Sequence, residues 1–256
     1  MSLRQKSELR LHLGSAHCKA ALWRKRWRAR CLARVQLFGR TVANLDQAIG
    51  ALVAAGHRLP TAATLVVEDE LVYLAAVPAS VDWSQARASA AEYFAATTGL
   101  EDLLVQASLA PGGRCWLAVA MDAALVKSWR EALESRDIEL RHLRVGLFED
   151  LDQLFAAESL HDDGALVLLR REGATFLTLR AGAIIDIGWE RCEVDEGADL
   201  LARVRAHRQR HERVTPAAQW QVSVLPSDAD QQAAVTALAM AQGWRLLASA
   251  GSRSQV

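Results

Sequence analysis

The sequence predicts an α/β protein made of two similar subdomains. Groups of short strands precede helices twice along the chain, first before residue 40 and again as a three-stranded meander over residues 165–189. The 256 residues are 51% hydrophobic, which provides ample apolar side chains for a core. We therefore expect a folded, duplicated α/β arrangement rather than a disordered or fibrous chain.

The order of elements follows from alternation, caps and breaks. The chain opens with a hairpin: leucines alternate with polar residues over 9–13, a Gly14-Ser15-Ala16 turn follows, and residues 19–23 form the second strand. Asn, Asp, Gly and Pro mark most later boundaries. Further strands are predicted at 64–67, 71–77, 103–109, 115–121, 139–145, 165–170, 174–180, 183–189, 219–225 and 244–247, and helices at 44–57, 83–96, 122–136, 148–158, a segment reaching about 213, and 228–242.

We divide the chain at the breaks in this pattern. The predicted parts are a first subdomain over residues 1–78, an inserted subdomain over 79–140, a second subdomain over 141–247 and a polar tail over 248–256.

Positive charge is concentrated near the N-terminus although the net charge is zero. The first forty residues contain eleven Lys or Arg and one acidic residue, Glu8. A strand here would carry a basic face, which is open to three interpretations: a solvated sheet face, a contact with anionic lipid or an acidic partner, or nucleic acid. The neutral chain and the lack of a nucleic-acid motif disfavour the last. The basic surface consists of Arg24, Lys25, Arg26, Arg28 and Arg30.

Neither a membrane span nor a metal or disulfide framework is predicted. No run approaches eighteen apolar residues, and the N-terminus lacks the apolar core of a signal peptide, so we expect a cytoplasmic protein. The four cysteines form no CxxC pair, and we expect all of them to be buried thiols: Cys18, Cys31, Cys115 and Cys192.

Charged clusters have structural explanations. We expect the acidic clusters at residues 68–70, 149–150 and 162–163 to cap backbone N–H groups rather than to perform acid–base catalysis. His207 and His211 have the spacing of two metal ligands on a helix, but the neighbouring arginines predict a solvated basic face instead. No P-loop, nucleophile elbow or GxGxxG motif occurs.

The opening hairpin resembles the first phosphate-binding hairpin of the actin-like ATPase superfamily, in which Asp-x-Gly-(x)4-Lys follows a buried strand. Gly14 and Lys19 match this pattern, but His12 stands at the acidic position. That acid serves the nucleotide's metal, and a hard cation such as Mg²⁺ prefers oxygen ligands. The resemblance thus implies an actin-like, ribonuclease H-like fold with a degenerate nucleotide site and no metal.

Two further nucleotide elements of that superfamily are degenerate here. At the second phosphate element, over residues 167–173, Leu168 stands at the acidic position and Arg170 at the glycine position. At the adenosine element, over residues 222–228, the usual Gly-Gly pair is missing. Because backbone N–H groups cradle phosphate only where glycines allow a close approach, we expect no bound nucleotide, no cofactor and no ATPase activity. The resemblance also implies a chain that is shorter than full-length actin-like proteins.

The middle of the chain makes the resemblance more specific. The apolar run at residues 116–121 and the helix at 124–135 resemble PilM of type IV pilus assembly and the cytoplasmic part of GspL in type II secretion. The resemblance implies a scaffold on the cytoplasmic face of the bacterial inner membrane that binds the cytoplasmic segment of a membrane partner, with the assembly ATPase as another candidate partner. By this resemblance the partner groove corresponds to the region of Tyr73, Trp83, Tyr93 and Phe94.

Two alternatives remain open at this stage. An active actin-like ATPase or small-molecule kinase would need an acidic residue at the phosphate hairpins, and a filament-forming protein would need to polymerise without a nucleotide. The sequence does not distinguish a pilus from a secretion system, and homodimerisation stays open.

Overall fold

A computed structural model of the chain describes residues 7–24, 30–39, 42–157, 163–193, 197–211 and 220–248. The strands are β1 (Ser7–Leu13), β2 (His17–Arg24), β3 (Arg30–Phe38), β4 (Ala62–Val67), β5 (Tyr73–Pro78), β6 (Leu103–Leu109), β7 (Cys115–Asp122), β8 (Glu139–Val145), β9 (Gly164–Leu169), β10 (Gly173–Arg180), β11 (Ala183–Arg191), β12 (Gln221–Leu225) and β13 (Arg245–Leu246). The helices are α1 (Val42–Ala54), α2 (Trp83–Thr98), α3 (Ala123–Glu134), α4 (Gly146–Ala157), α5 (Gly197–His211) and α6 (Ala229–Gln242).

The described residues fall into two compact units, one within Met1–Val72 and Met121–Phe148 and the other within Tyr73–Ala120 and Glu149–Val256. Each unit contains a five-stranded sheet of the same topology. The first has the order β3-β2-β1-β4-β8 and the second β11-β10-β9-β12-β13. In both, an antiparallel three-stranded meander is followed by two parallel strands. This repeated order confirms the predicted duplicated α/β class.

The first unit builds its core on β1, the central strand of its sheet. The leucines of β1 are buried, and α1 packs against β2 and β3 while α3 packs against β8 and α1. Arg136, just after α3, donates to both carboxylate oxygens of Asp46 at 2.7 and 2.9 Å. The burial of Leu9, Leu11 and Leu13, with half-buried residues between them, confirms the alternation predicted for residues 9–13.

The second unit contains its five-stranded sheet and a smaller layer. Its main core joins side chains of β9, β10 and β12 with α5 and α6, and includes Phe176 and Leu200. A three-stranded sheet of order β5-β7-β6 packs against α2, around the buried Phe94. The Sγ of Cys115 on β7 donates to Ile184 O on β11 at 3.1 Å, which connects the two layers.

Two helix caps predicted from sequence, Asp82 and Asp122, are found, whereas Asn44, predicted to begin a helix, lies inside α1. Asp82 accepts from Gln85 N at the start of α2, and Asp122 accepts from Ala124 N at the start of α3. Gly99 and Gly243 end α2 and α6 in the left-handed region, where glycine has no steric penalty. None of the described helices combines the length and apolarity that crossing a bilayer requires.

The strand predicted at residues 71–77 begins later than expected. Residues 71 and 72 were expected to begin a strand, but Asp69–Leu71 forms a short 3-10 helix and β5 begins at Tyr73. β5 pairs antiparallel with β7 in the small sheet and not with β4. A run of apolar residues predicts a strand but does not identify the sheet that the strand joins, because its pairing partner is distant in sequence.

Candidate functional site

The β1–β2 hairpin brings together three residues singled out in the sequence. His12 and Lys19 lie opposite each other in the antiparallel ladder, and both side chains are half-buried. Gly14 N donates to His17 O at 2.9 Å and closes the turn. Because β1 is the central strand of its sheet, the turn lies at the end of the middle strand.

Carboxylates from a distant part of the chain occupy this turn. β4 runs parallel to β1, so residues 68–70 leave β4 beside the hairpin. The Oε1 of Glu70 accepts the backbone N–H of Ser15 at 3.0 Å. The Oε1 of Glu68 lies 3.0 Å from Nε2 of the buried His17. An acidic side chain of the protein thus satisfies a backbone donor of the hairpin turn.

The turn is tightly filled around its glycine. A Cβ atom added at Gly14 would lie 2.7 Å from Cε1 of His17 and 3.0 Å from Oε1 of Glu70. The Oγ of Ser15 and the Oε2 of Glu70 are buried at the same place. A side chain at position 14 would therefore force the His17 ring or the Glu70 carboxylate to move.

Two carboxylates at this turn lie close enough to affect each other. Burial raises the pKa of Glu70 above its usual value, and the neighbouring Glu68 raises it further. Between them, the fully buried Asp69 accepts the N–H of Leu147 at 3.1 Å, at the start of α4. The predicted capping role of residues 68–70 is confirmed for Asp69 and Glu70. A phosphate at this turn would meet carboxylates where it needs donors.

The β9–β10 hairpin combines a backbone-closed turn with a buried side-chain ion pair. Arg170 N donates to Gly173 O at 2.8 Å and closes the turn. The buried guanidinium of Arg170 pairs with Asp150 Oδ2 at 2.8 Å. Leu168 is fully buried on β9. An arginine side chain in an ion pair therefore occupies this second turn.

The β12–α6 junction is held by one glutamine. The Oε1 of Gln231 accepts both the N–H and the hydroxyl of Ser227, at 3.0 and 2.8 Å. Its Nε2 donates to Arg170 O at 2.7 Å, so this junction is fastened to the second hairpin. Asp228 caps α6 by accepting from Gln231 N. These polar groups are paired with one another.

Comparison with known proteins identifies similar folds but no sequence family. No protein-family model matches the sequence, and no curated protein matches it. Among solved structures, a chain of the PilM–PilN type IV pilus biogenesis complex superposes with a TM-score of 0.68 at 14% identity, covering 94% of this chain and 88% of that one. A Bacteroides thetaiotaomicron protein of actin-like ATPase fold and unknown function gives 0.64 at 8% identity, covering 94% and 90%.

The chain has the actin-like fold. The cytoplasmic domain of EpsL, an inner-membrane component of the Vibrio cholerae type II secretion system, superposes with a TM-score of 0.52 at 12% identity, covering 86% of this chain and 82% of that one. The resemblance to pilus and secretion components inferred from the sequence is confirmed at the level of fold.

The three segments that resemble nucleotide elements are the β1–β2 hairpin, the β9–β10 hairpin and the β12–α6 junction. His12, Gly14 and Lys19 lie on the first hairpin, and Arg170 lies on the second. Within the described part of the chain, no three His, Cys, Asp or Glu side chains are placed to hold a metal ion. The residues present do not suit a metal-bound nucleotide, because acceptors occupy the first turn and a paired arginine the second.

The aromatic residues predicted to bind a partner divide into two groups. Tyr73, Tyr93 and Phe94 are neighbours, with ring centroids of Phe94 at 6.4 Å from Tyr73 and 5.6 Å from Tyr93. Both tyrosines are exposed, whereas Phe94 is buried beneath them. Trp83 is exposed at the other end of α2, about 15 Å away along the helix axis, where its Nε1 donates to Ala107 O. A role in partner binding stays a prediction for all four.

The basic surface is only partly described. Arg24 is half-buried at the end of β2, and Arg30 is exposed at the start of β3. Lys25, Arg26 and Arg28 lie outside the described residues. Its role also stays a prediction.

Two expectations about side chains are wrong. His207 is buried rather than solvated, and its Nε2 is hydrogen-bonded to Thr178 Oγ1 at 3.0 Å. Its ring packs near Phe176 and His211. Cys31 is exposed, whereas the other three cysteines are buried as expected. Both residues lie on amphipathic elements whose buried face depends on packing partners, which local sequence does not specify.

Glu70 is the acidic residue whose partner sequence reasoning missed. It lies 55 positions from Ser15, and no local motif connects them. A signal was present nonetheless: the acidic triplet follows a strand predicted to be buried, and the carboxyl ends of neighbouring parallel strands meet at one sheet edge. Pairing β4 with β1 would have placed the triplet at the hairpin.

Proposed function

We propose that this chain is a non-catalytic, actin-like scaffold of a type IV pilus or type II secretion inner-membrane assembly platform. It binds the cytoplasmic segment of a membrane partner and works in the cytoplasm, peripheral to the bacterial inner membrane. The observation that carries the non-catalytic part is the hydrogen bond from Ser15 N to the Glu70 carboxylate in the first hairpin. The pilus or secretion assignment is supported by the fold shared with those assemblies.

The Glu70 contact argues against nucleotide binding on two grounds. It uses a turn donor that a phosphate would need, and it adds negative charge where a phosphate would sit. Displacing the carboxylate would leave it partly buried and unpaired, which is costly. The Arg170–Asp150 pair and the Gln231 network fill the other two nucleotide elements independently.

The partner segment is proposed to bind on the exposed aromatic surface of α2 and β5. Tyr73 and Tyr93 supply apolar rings with a polar end, above a firm base formed by buried Phe94. Trp83 is a further exposed aromatic residue at the start of α2. Aromatic residues of this kind contribute disproportionately to protein interfaces. The assembly ATPase is a second proposed partner.

Nucleotide binding is tested by calorimetric titration with ATP and Mg²⁺ together with thermal denaturation. A ligand specific for the native state adds about 4 kcal/mol of stability at a thousandfold excess over its dissociation constant. We expect no heat of binding and no shift in melting temperature. A clear shift in the wild-type protein would overturn the non-catalytic proposal and revive an ATPase or kinase.

Partner binding is tested by affinity capture on immobilised cytoplasmic segments of inner-membrane pilus and secretion proteins from the same genome. Tyr93→Ser should weaken capture by the true partner. Met240→Ser is the matched control, because Met240 is an exposed apolar residue on α6 outside the proposed surface. Equal loss in both variants, or capture by no segment, would contradict the proposed scaffold.

Self-association is measured separately. Light scattering with and without nucleotide distinguishes a monomer, a homodimer and a filament. Growth of large particles in the absence of any partner segment would favour the filament alternative over the scaffold.

A further inference from the structure

Strand β3 is the outer strand of the first five-stranded sheet. It pairs with β2 along its length, and among the described residues no other strand pairs with it. An edge strand presents alternate backbone N–H and C=O groups outward, which can accept another strand. β3 is nine residues long, so its edge is a substantial template.

The second half of β3 lacks most of the devices that protect an edge. A register irregularity interrupts pairing near Leu32, but residues 33–38 continue as a regular strand without proline or an inward-pointing charge. Half-buried residues alternate there with three exposed ones: Arg34, Gln36 and Phe38. The exposed face therefore offers a cation and, four residues further on, an aromatic ring that is 66% exposed.

The positive charge of this edge favours an acidic partner strand. β3 contains arginines and no acidic residue, and Arg30 and Arg34 take part in no ion pair within the described part of the chain. A second copy of β3 would bring one basic edge against another, which like-charge repulsion disfavours. A strand carrying a carboxylate opposite Arg34 would gain a cross-strand ion pair.

We infer that the β3 edge is a second docking surface, which binds an extended acidic segment of another protein by adding an antiparallel strand. The segment carries a large apolar residue opposite Phe38 and, four residues toward its C-terminus, an Asp or Glu opposite Arg34. Backbone hydrogen bonds provide affinity, and this pair of side chains provides register and specificity. The β3 edge belongs to the first unit and the aromatic surface on α2 to the second.

The test uses a synthetic eight-residue peptide of alternating Thr and Val, with Phe at its second position and Glu at its sixth. Fluorescence anisotropy of the labelled peptide with the full chain should show saturable binding. Replacing the Glu of the peptide with Lys should abolish the saturable binding. Methylating alternate backbone nitrogens of the peptide should also abolish binding, because it removes strand hydrogen bonds and leaves the charge unchanged.

Variants of the protein locate the site. Arg34→Glu should weaken binding about fivefold or more, since it replaces an attractive cross-strand pair with a repulsive one. Arg205→Glu is the matched control, because Arg205 is exposed on α5 and the charge change is the same. Arg34 is also exposed, so its variant should keep the wild-type melting temperature.

Three results would overturn the inference. Equal binding of the methylated peptide would mean that attraction is purely electrostatic. Equal weakening by Arg34→Glu and Arg205→Glu would mean that the site lies elsewhere. Binding to vesicles of anionic phosphatidylserine without any peptide binding would identify the basic edge as a lipid contact instead.

Discussion

The backbone N–H of Ser15 donates to the carboxylate of Glu70 at 3.0 Å, across 55 positions of sequence. In an actin-like fold this donor belongs to the hairpin that resembles a phosphate-binding element. The Glu70 carboxylate therefore lies at this turn, and the neighbouring Glu68 carboxylate contacts the His17 ring. This contact explains how a hairpin that keeps Gly14 and Lys19 can serve a structural purpose.

Neutralising Glu70 should stabilise the protein near neutral pH. Because burial and Glu68 raise its pKa in the folded state, folding favours the protonated carboxyl, and its contribution to stability decreases as pH rises above the unfolded value. Glu70→Gln keeps an oxygen that can accept from Ser15 N and removes the charge. We expect a higher melting temperature at pH 7 than for wild type, and a smaller difference near pH 4. A lower melting temperature at pH 7 would show that the charged hydrogen bond outweighs repulsion and desolvation.

Gly14→Ala should destabilise the first hairpin. The added Cβ would lie 2.7 Å from the His17 ring and 3.0 Å from Glu70, so neighbouring side chains would have to move. Overpacking of this kind costs about 1–3 kcal/mol in the free energy of unfolding. Urea denaturation measures it. Gly188→Ala on β11 is the control, because a Cβ there meets nothing within 4 Å; equal effects in both variants would refute the packing explanation.

Stability should fall in mildly acidic solution because of His207. Burial, followed by His211 and Arg210, lowers its pKa from 6.5 to about 4. A depressed pKa means that the unfolded state binds the proton more readily, so this contribution is complete above pH 6.5 and is lost as pH falls toward 4. Urea denaturation at several pH values should show this slope in wild type and less of it in His207→Gln. His142→Gln, at an exposed position on β8, should keep the wild-type slope. An unchanged slope in His207→Gln would exclude His207 as the source of the pH dependence.

A single cysteine should react quickly in the native protein. Cys31 is exposed, whereas burial raises the pKa of Cys18, Cys115 and Cys192 to about 11 in each case. Thiolates are the reactive species, so the buried thiols should react slowly. Titration with Ellman's reagent should show one fast thiol before denaturation and all four afterwards. Cys31→Ser should remove the fast phase, and its persistence would place the reactive thiol elsewhere.

Most of the fold could be predicted because its signals are local. The alternation of β1, the N-caps Asp82 and Asp122, and the turns of the second meander each follow from a few neighbouring residues. The loss of acidic and glycine residues at the nucleotide elements could also be recognised locally, at His12 and Arg170. Errors occurred where packing partners are distant in sequence: His207 is buried and Cys31 is exposed, the reverse of what was predicted.

The sequence by itself determined the α/β elements, the duplicated order of strands and the departures from a nucleotide-binding pattern, because alternation, capping and turn chemistry act over a few residues. Only the tertiary structure decided what fills the altered turns. Glu70 reaches Ser15 because β4 lies parallel to β1, and Arg170 meets Asp150 because α4 and β9 bring them together. Such contacts depend on strand order and side-chain direction in three dimensions, which local periodicity does not encode.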